Sequence, residues 1–239
     1  MTNFTEKYGE DIRVLVENGK TNREIASIIG IGKSTVQAII NKQGYVKNKW
    51  NLSKVQEEVL YASVIADGCL FKSTSGSNAR MNLAHSLKQK EYFMYKYEIL
   101  KPIIRSEPKE RTWFDKRTNK YYSEIRFQSR THEKFTELWL DVYRDGKRVI
   151  TKEALADKGE LTLAIKYFDD GFKGANSHYI AMNSYDDESI QNFRDWIKEK
   201  FDIKTNVHKD RTLYFPTSEN PKLCSILMKY ATSDMYYKI

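Results

Sequence analysis

The feature that most constrains the fold is that the larger part of the chain is written twice. Ser53 is placed to cap a helix and Gln56 to complete a capping box. Apolar and small positions then run through Val59, Leu60, Ala62, Ser63 and Ala66 to Asp67-Gly68. A second such stretch, Leu161 to Phe168, runs into Asp169-Asp170-Gly171. Each stretch is followed by the same succession. Alternating strands come first, at 68–72 and 80–87 in one copy and at 171–173 and 179–184 in the other. An amphipathic helix follows, at 91–104 and 188–201. Next is a hairpin, at 111–129 with its turn at Thr118-Asn119, and at 204–217 with its turn near Lys209-Asp210. Closing helices are expected at 133–143 and 221–230. Helix, two strands, helix, two strands, helix, used twice, predicts an α+β fold (αββαββα in tandem) with an antiparallel sheet in each half.

The 239 residues hold this repeat and a small appendage. No apolar run approaches the ~20 residues needed to span a bilayer, so no membrane association is expected. The first ten residues lack the apolar stretch of an export signal. The two cysteines, Cys69 and Cys224, stand in unrelated contexts, which excludes a disulfide scaffold and a CxxC zinc site. A reducing, cytoplasmic setting is the expectation. The net charge of +8 points to a polyanionic partner, nucleic acid first. Its distribution sharpens this. From Ile25 to Gln56 there is no acid, but Lys33, Lys42, Lys47, Lys49 and Lys54 all fall there. From Arg111 to Arg130, basic residues alternate with Trp113, Phe114, Tyr121, Tyr122 and Phe127, a composition suited to a nucleic-acid surface.

The front of the chain reads as three short helices. Ile12, Leu15 and Val16 mark the first. Thr21-Asn22-Arg23-Glu24 is a capping box opening the second, with Ile25, Ala26, Ile28 and Ile29 as its buried side. After the turn Gly30-Ile31-Gly32, Lys33-Ser34-Thr35-Val36 opens the third, with Val36, Ile39 and Ile40 inward. This arrangement resembles a helix-turn-helix DNA-binding unit. The resemblance would make the third helix the recognition helix, with Ser34, Thr35, Gln37 and Asn41 toward base edges and Lys33 and Lys42 toward phosphates. A helical bundle for protein contacts is the other reading. Gly32-Lys33-Ser34 is not the end of a phosphate-binding loop, because Ser27 stands where that motif needs glycine and no apolar strand precedes it. Residues 46–52 read as a basic linker able to track the DNA backbone, with Lys47 and Lys49 as candidate contacts.

Leu60-Tyr61-Ala62-Ser63-Val64-Ile65-Ala66-Asp67-Gly68 resembles the LAGLIDADG motif, and Leu163 to Gly171 is similar to a second copy. Gln89-Lys90-Glu91-Tyr92, Lys147-Arg148-Val149-Ile150 and Met235-Tyr236-Tyr237-Lys238-Ile239 agree with that family as well. From Leu52 to Ile239 the chain resembles a single-chain, two-repeat homing endonuclease of the intron-encoded, mobile-element kind, here with a helix-turn-helix in front. The expected organisation is 1–45 helix-turn-helix, 46–52 linker, 53–145 first repeat, 146–160 inter-repeat linker and 161–239 second repeat. Two departures stand out: Tyr61 and Ser63 replace smaller or aliphatic residues, and Lys166 lies in mid-helix. A charge buried at a helix pair is costly, so Lys166 is expected to reach outward.

Ala62, Ala66 and Ala164 would let the two motif helices pack closely and bring their C-terminal ends together. Asp67 and Asp170 would then lie side by side among free carbonyls at the negative ends of two helix dipoles. That is a setting for a hard divalent cation such as Mg2+ (or Mn2+). The resemblance implies Asp67 and Asp170 as the metal-binding and catalytic acids, assisted by the carbonyls of Ala66 and Asp169. It also implies Arg148 and Lys238 as stabilisers of developing negative charge, with Lys147 a competitor of Arg148. The four histidines, lacking paired spacing, read as structural or surface groups. The sheets would form a saddle on duplex DNA, with Lys72, Arg80, Asn82, Arg126, Gln128, Arg130, Asn183, Lys204 and His208 as candidate groove residues. The sequence thus leads to a monomeric, metal-dependent, site-specific double-strand DNA endonuclease. The alternative is a non-cleaving DNA-binding regulator or an RNA-binding intron maturase on the same scaffold.

Overall fold

The computed structural model describes residues 4–45, 52–72, 78–104 and 106–239; Lys47 and Lys49 lie outside the described residues. The chain divides into two compact units, Met1–Asn51 and Leu52–Ile239.

In the first unit, α1 (Phe4–Glu17), α2 (Asn22–Ile29) and α3 (Lys33–Gln43) enclose a core of Ile12, Val16, Ile25, Val36, Ile39 and Ile40. The capping box starts α2: Thr21 Oγ1 accepts from Glu24 N–H, and Glu24 accepts from Thr21 N–H. Gly30 ends α2 at φ 76°, a left-handed conformation that favours glycine. Ile28 differs from expectation: it is exposed, because it lies off the face on which Asn22 and Ile25 are buried and Ala26 and Ile29 pack against the core. Of the recognition-helix candidates, Lys33, Ser34, Asn41 and Lys42 are exposed and Thr35 is half-buried. Gln37 is also half-buried and is committed inward, accepting from Asn22 Nδ2 at 2.6 Å and donating to Asn41 Oδ1 at 2.7 Å.

The second unit repeats one succession. Its first half runs α4 (Lys54–Val64), β1 (Cys69–Phe71), β2 (Arg80–Ser86), α5 (Lys90–Ile104), β3 (Lys109–Asp115), β4 (Lys120–Gln128) and α6 (Glu133–Val142). A short hairpin, β5 (Tyr143–Arg144) and β6 (Lys147–Arg148), and α7 (Lys152–Leu155) lead across, so the expected linker is itself structured. The second half runs α8 (Glu160–Asp170), β7 (Gly171–Lys173), β8 (His178–Ala181), α9 (Asp187–Phe201), β9 (Asn206–Val207), β10 (Thr212–Phe215) and α10 (Asn220–Met228). Each half forms a four-stranded antiparallel sheet, ordered β1-β2-β4-β3 and β7-β8-β10-β9. Strand alternation assigns the faces. Met81, Leu83, Ile125 and Phe127 in the first sheet, and Ile180, Leu213 and Phe215 in the second, are buried.

Helices α4 and α8 pack together at the centre. Ala62 and Ala164 are fully buried, as small residues at a close helix contact should be. Glu58 fixes the relative placement at one end. The N-cap of α8 is Gly159, which has no side chain to cap with. Glu58 Oε2 of α4 takes that role, accepting from Gly159 N–H at 2.9 Å and from Thr162 N–H and Oγ1 at 3.3 and 3.2 Å. With that end fixed, the opposite ends of both helices meet.

Candidate active site

A glycine follows each motif helix, Gly68 after the turn that ends α4 and Gly171 directly after α8. A Cβ on Gly68 would lie 2.7 Å from Ser63 O, and one on Gly171 would lie 2.4 Å from Tyr167 O. Any other residue would push the chain off these carbonyls. The glycines therefore set how closely each strand folds back on its helix, and with it where Asp67 and Asp170 stand. Helix α4 ends at Val64, earlier than the motif suggests, and Ile65 to Asp67 form a turn.

The carbonyls at these ends are not free. The Arg148 guanidinium donates to Val64 O at 3.1 Å and to Ala66 O. Lys238 Nζ donates to Phe168 O at 2.6 Å and to Asp169 O at 3.3 Å. Cations thus cap both negative dipole ends. Arg148 is delivered by the β5–β6 hairpin, whose turn places Gly146 at φ 75°. Lys147 beside it is exposed, so Arg148 is the residue of the pair that reaches the helix ends. Lys238 is delivered by the terminal turn Ser233–Lys238, in which Asp234 accepts from Tyr92 N–H at 3.1 Å and Tyr167 OH donates to Lys238 O at 2.5 Å.

The glycines define a correspondence between the halves. Asp67 precedes Gly68 and Asp170 precedes Gly171, which makes Asp67 and Asp170 equivalent in sequence and Asp169 the counterpart of Ala66. The cation contacts follow this register only in part: Arg148 reaches the carbonyl before Asp67, whereas Lys238 reaches the carbonyls before both Asp169 and Asp170 and lies nearer the former.

The side chain beside Asp67 is nevertheless that of Asp169: Asp67 N–H donates to Asp169 Oδ2 at 3.5 Å. Asp169 is fully buried as a side chain. Lys96 Nζ of α5 donates to both its oxygens, at 2.9 and 3.1 Å, and Tyr92 OH donates to Oδ1 at 2.8 Å. Burial alone would raise this carboxyl; the Lys96 charge beside it holds it below the ordinary carboxylate value. His85 completes the cluster, with Nδ1 3.4 Å from Asp67 Oδ2 and Nε2 3.8 Å from Asp169 Oδ1. Burial, reinforced by Lys96, pushes His85 down to about 4, so it is neutral near pH 7. Asp67, His85 and Asp169 each bring a donor atom within 4.8 Å of the others.

Lys166 overturns the expectation that it reaches outward. It is fully buried, and its ammonium donates to Ile65 O of the partner helix at 2.8 Å and to Asp170 Oδ2 at 2.5 Å. A helix-end carbonyl and a carboxylate compensate the charge where outward reach was anticipated. Tyr185 OH donates to the same Ile65 O at 2.5 Å. Neither His85 nor Lys96 carried a sequence signal. They lie one on a strand and one on a helix of the first half, and only the fold brings them to the second half's acid.

The donor set suits a hard cation at Asp67. Asp169 is already compensated by Lys96, and Asp170 Oδ2 by Lys166, whereas Asp67 is partly exposed and has no lysine partner among the described residues. Burial first, and then the charge of Asp169, push the Asp67 carboxyl up to about 6. Its folded value lies above the ordinary value of ~3.9. The stability it contributes is therefore full below pH ~4 and is lost as pH rises through about 6. Carboxyl NMR of cation-free protein should give an Asp67 midpoint near 6. Added divalent cation, which selects the ionised form, should move it lower. A midpoint at the ordinary carboxylate value before cation is added would contradict this electrostatic picture.

The candidate groove residues fall into clear places. Arg80, Asn82, Arg126 and Gln128 share the first sheet's face opposite its core. Lys72 and Arg130 follow strands of that sheet. Asn183, Lys204 and His208 flank β8 and β9 and are exposed, Asn183 donating to Asp210 O at 3.1 Å.

Comparison with known proteins adds to the geometry. The chain is 22% identical over 219 residues to the cytochrome b mRNA maturase bI2 of Debaryomyces hansenii, covering 88% of this chain and 83% of the relative. It is 25% identical over 171 residues to the DNA endonuclease I-ChuI of Chlamydomonas applanata, covering 66% and 78%. In fold it is similar to the homing endonuclease I-WcaI, solved bound to its DNA recognition sequence. That match has a TM-score of 0.71 and 19% identity and covers 92% of this chain and 97% of that one. Residues 57–223, which include most of α4, all of α8 and both sheets, match the LAGLIDADG DNA endonuclease family, and the chain belongs to that family.

Proposed function

We propose that this protein is a monomeric, site-specific double-strand DNA endonuclease. Both halves of its active site lie in one polypeptide, and Mg2+ or Mn2+ is its metal. The observation that carries the reading is the pairing of two helix ends. Each presents an acid followed by a glycine, Asp67 and Asp170, and each has a cation, Arg148 or Lys238, on the carbonyl before the acid.

Asp67 and Asp170 would hold divalent cations, which would activate water and stabilise the leaving oxygen. Arg148 and Lys238, fixed by helix-end carbonyls, place positive charge where a scissile phosphate becomes more negative, and need no rearrangement to do so. Neutral His85 and the Lys96–Asp169 pair form the floor of the site and keep Asp67 oriented. Two equivalent acids on a two-fold suit two strands of a duplex, one per half. Residues 1–45 act as a helix-turn-helix that lengthens the contact with DNA, with Ser34 and Asn41 toward base edges.

The test is incubation of the full chain with a random duplex library and Mg2+, followed by sequencing of cut ends. One recurrent, asymmetric cut site is expected, because the halves differ in sequence. Absence of any specific cut, with tight binding to structured RNA, would favour the maturase reading, which the similarity to the bI2 maturase supports. Deleting residues 1–45 should leave a folded remainder, since Leu52–Ile239 holds its own core, and should shorten the protected footprint. A footprint of unchanged length would give the three helices another partner.

A further inference from the structure

The two sheets present different chemistry on corresponding faces. In the first, the middle cross-strand rows on the face away from the core are polar, Asn82 beside Gln128 and then Arg126 beside Lys109, and aromatic rings come only at the two ends of that face, Phe71 beside Arg80 and Trp113 beside Tyr122. In the second, the corresponding face carries one continuous row, Phe172–Tyr179–Tyr214–Asn206, formed by register across all four strands. Its parity is opposite to that of buried Ile180 and Leu213, so this row is no part of the core. Phe172 is 48% exposed. The rings of Phe172 and Tyr179 are parallel within 9° at 4.9 Å, Tyr214 lies 5.4 Å from Tyr179, and His208 lies 5.4 Å from Tyr214. Aromatic surface of this extent facing water marks a contact site.

We propose that the second sheet recognises its half of the target by apolar contact with thymine 5-methyl groups in the major groove, while the first sheet reads its half by hydrogen bonds. The proposal rests on the DNA-endonuclease reading and names the kind of sequence each half takes. The occupant is duplex DNA because the strands that carry the row also carry exposed lysines, Lys173 at the end of β7 and Lys204 and Lys209 on either side of β9, a charge pattern that complements phosphates on either side of a groove. The major groove is the surface on which thymine displays a methyl group and guanine and adenine display paired acceptor and donor sites. Arg126, Asn82 and Gln128 match the latter, and Phe172, Tyr179 and Tyr214 match the former. Stacking on unpaired bases is the less favoured use. Tyr179 is already covered on one face by Phe172 and flanked by Tyr214 and His208, which leaves little open ring face for a base.

The experiment is in vitro selection of bound duplexes by the full chain, read as affinity without cleavage. Arg126→Ala assigns orientation, since the half-site whose base preference it relaxes is the one on the first sheet. The thymines of each half-site are then replaced by deoxyuracil, which removes only the methyl group. In the second-sheet half, each replacement should weaken binding about fourfold, the factor for burying one methylene-sized group. Phe172→Ser, on an exposed edge strand, should reduce that sensitivity. The first-sheet half should tolerate deoxyuracil and lose affinity with 7-deazaguanine or 7-deazaadenine. A selected duplex indifferent to deoxyuracil in the second-sheet half, or equally sensitive in both, overturns the inference and leaves the endonuclease reading intact. Preferred binding to single strands, or failure to select any duplex, overturns both.

Discussion

Asp67→Asn and Asp170→Asn, made singly, should each end double-strand cleavage and leave DNA affinity within a few-fold. The change removes a charge but not a side chain, so helix packing and the glycine turns that follow are kept. In the proposed reading, binding draws on phosphate and groove contacts spread over two sheets, and neither substitution touches those. The loss in rate should exceed the ~10–100-fold typical of losing an outer-shell partner, because each acid is proposed to hold a cation directly. Nicking of one strand can persist through the intact half. Asp169→Asn provides the contrast. Asp169 stands nearer Asp67, yet it corresponds to Ala66 in the other half and is occupied by Lys96 and Tyr92. Its replacement should act on stability before it acts on chemistry. Strand-resolved cleavage with Mg2+, alongside thermal unfolding, separates the cases. If Asp170→Asn cuts both strands at the normal rate while folded Asp169→Asn does not, Asp169 is the second acid and the two-fold correspondence is wrong.

Much of this arrangement is legible in the sequence, for reasons that differ by residue. The repeat could be read because each half must bury one helix on all sides and alternate two faces of a sheet, and both demands leave periodicities of their own. Asp67 and Asp170 were visible because glycine follows each, and the close approach of Ser63 O and Tyr167 O shows why glycine is required. Arg148 could be separated from Lys147 only by the register of a two-residue hairpin, which sequence does not fix. Lys166 stands out in the sequence as an anomaly, and the structure turns it inward where outward reach is expected. Its partners are a carbonyl of the other helix and an acid one turn along its own, and only the first needs tertiary structure. His85 and Lys96 were not legible at all. His85 occupies a core position of an ordinary alternating strand, Lys96 sits within an aromatic helix, and their meaning comes from Asp169 on the far half of the repeat.

Lys96→Met should be among the most destabilising single changes in the larger unit. The lysine and Asp169 are both fully buried as side chains, and the pair bridges α5 to α8, thus one half to the other. Methionine fills nearly the same volume, so no large cavity opens, and what changes is charge. Asp169 would be left as a buried carboxylate whose remaining partners among the described residues are the Tyr92 hydroxyl, the Asp67 N–H and, at 3.8 Å, the neutral His85. Breaking such a pair by removing one member costs about 3–5 kcal/mol, because the remaining charge has lost its compensation without regaining water. For a unit of this size that is a fall in Tm on the order of 10 °C. The double variant Lys96→Met with Asp169→Asn removes the stranded charge and should recover most of the loss. The single variant should also respond to pH in a definite direction. With its lysine gone, the Asp169 carboxyl titrates above its unfolded value, so the variant gains relative stability as pH falls and a proton neutralises the site. A single variant that costs under about 1 kcal/mol, the range of an exposed pair, would show that water reaches this pair in solution. A double variant as unstable as the single would show that Lys96 acts by packing, not charge.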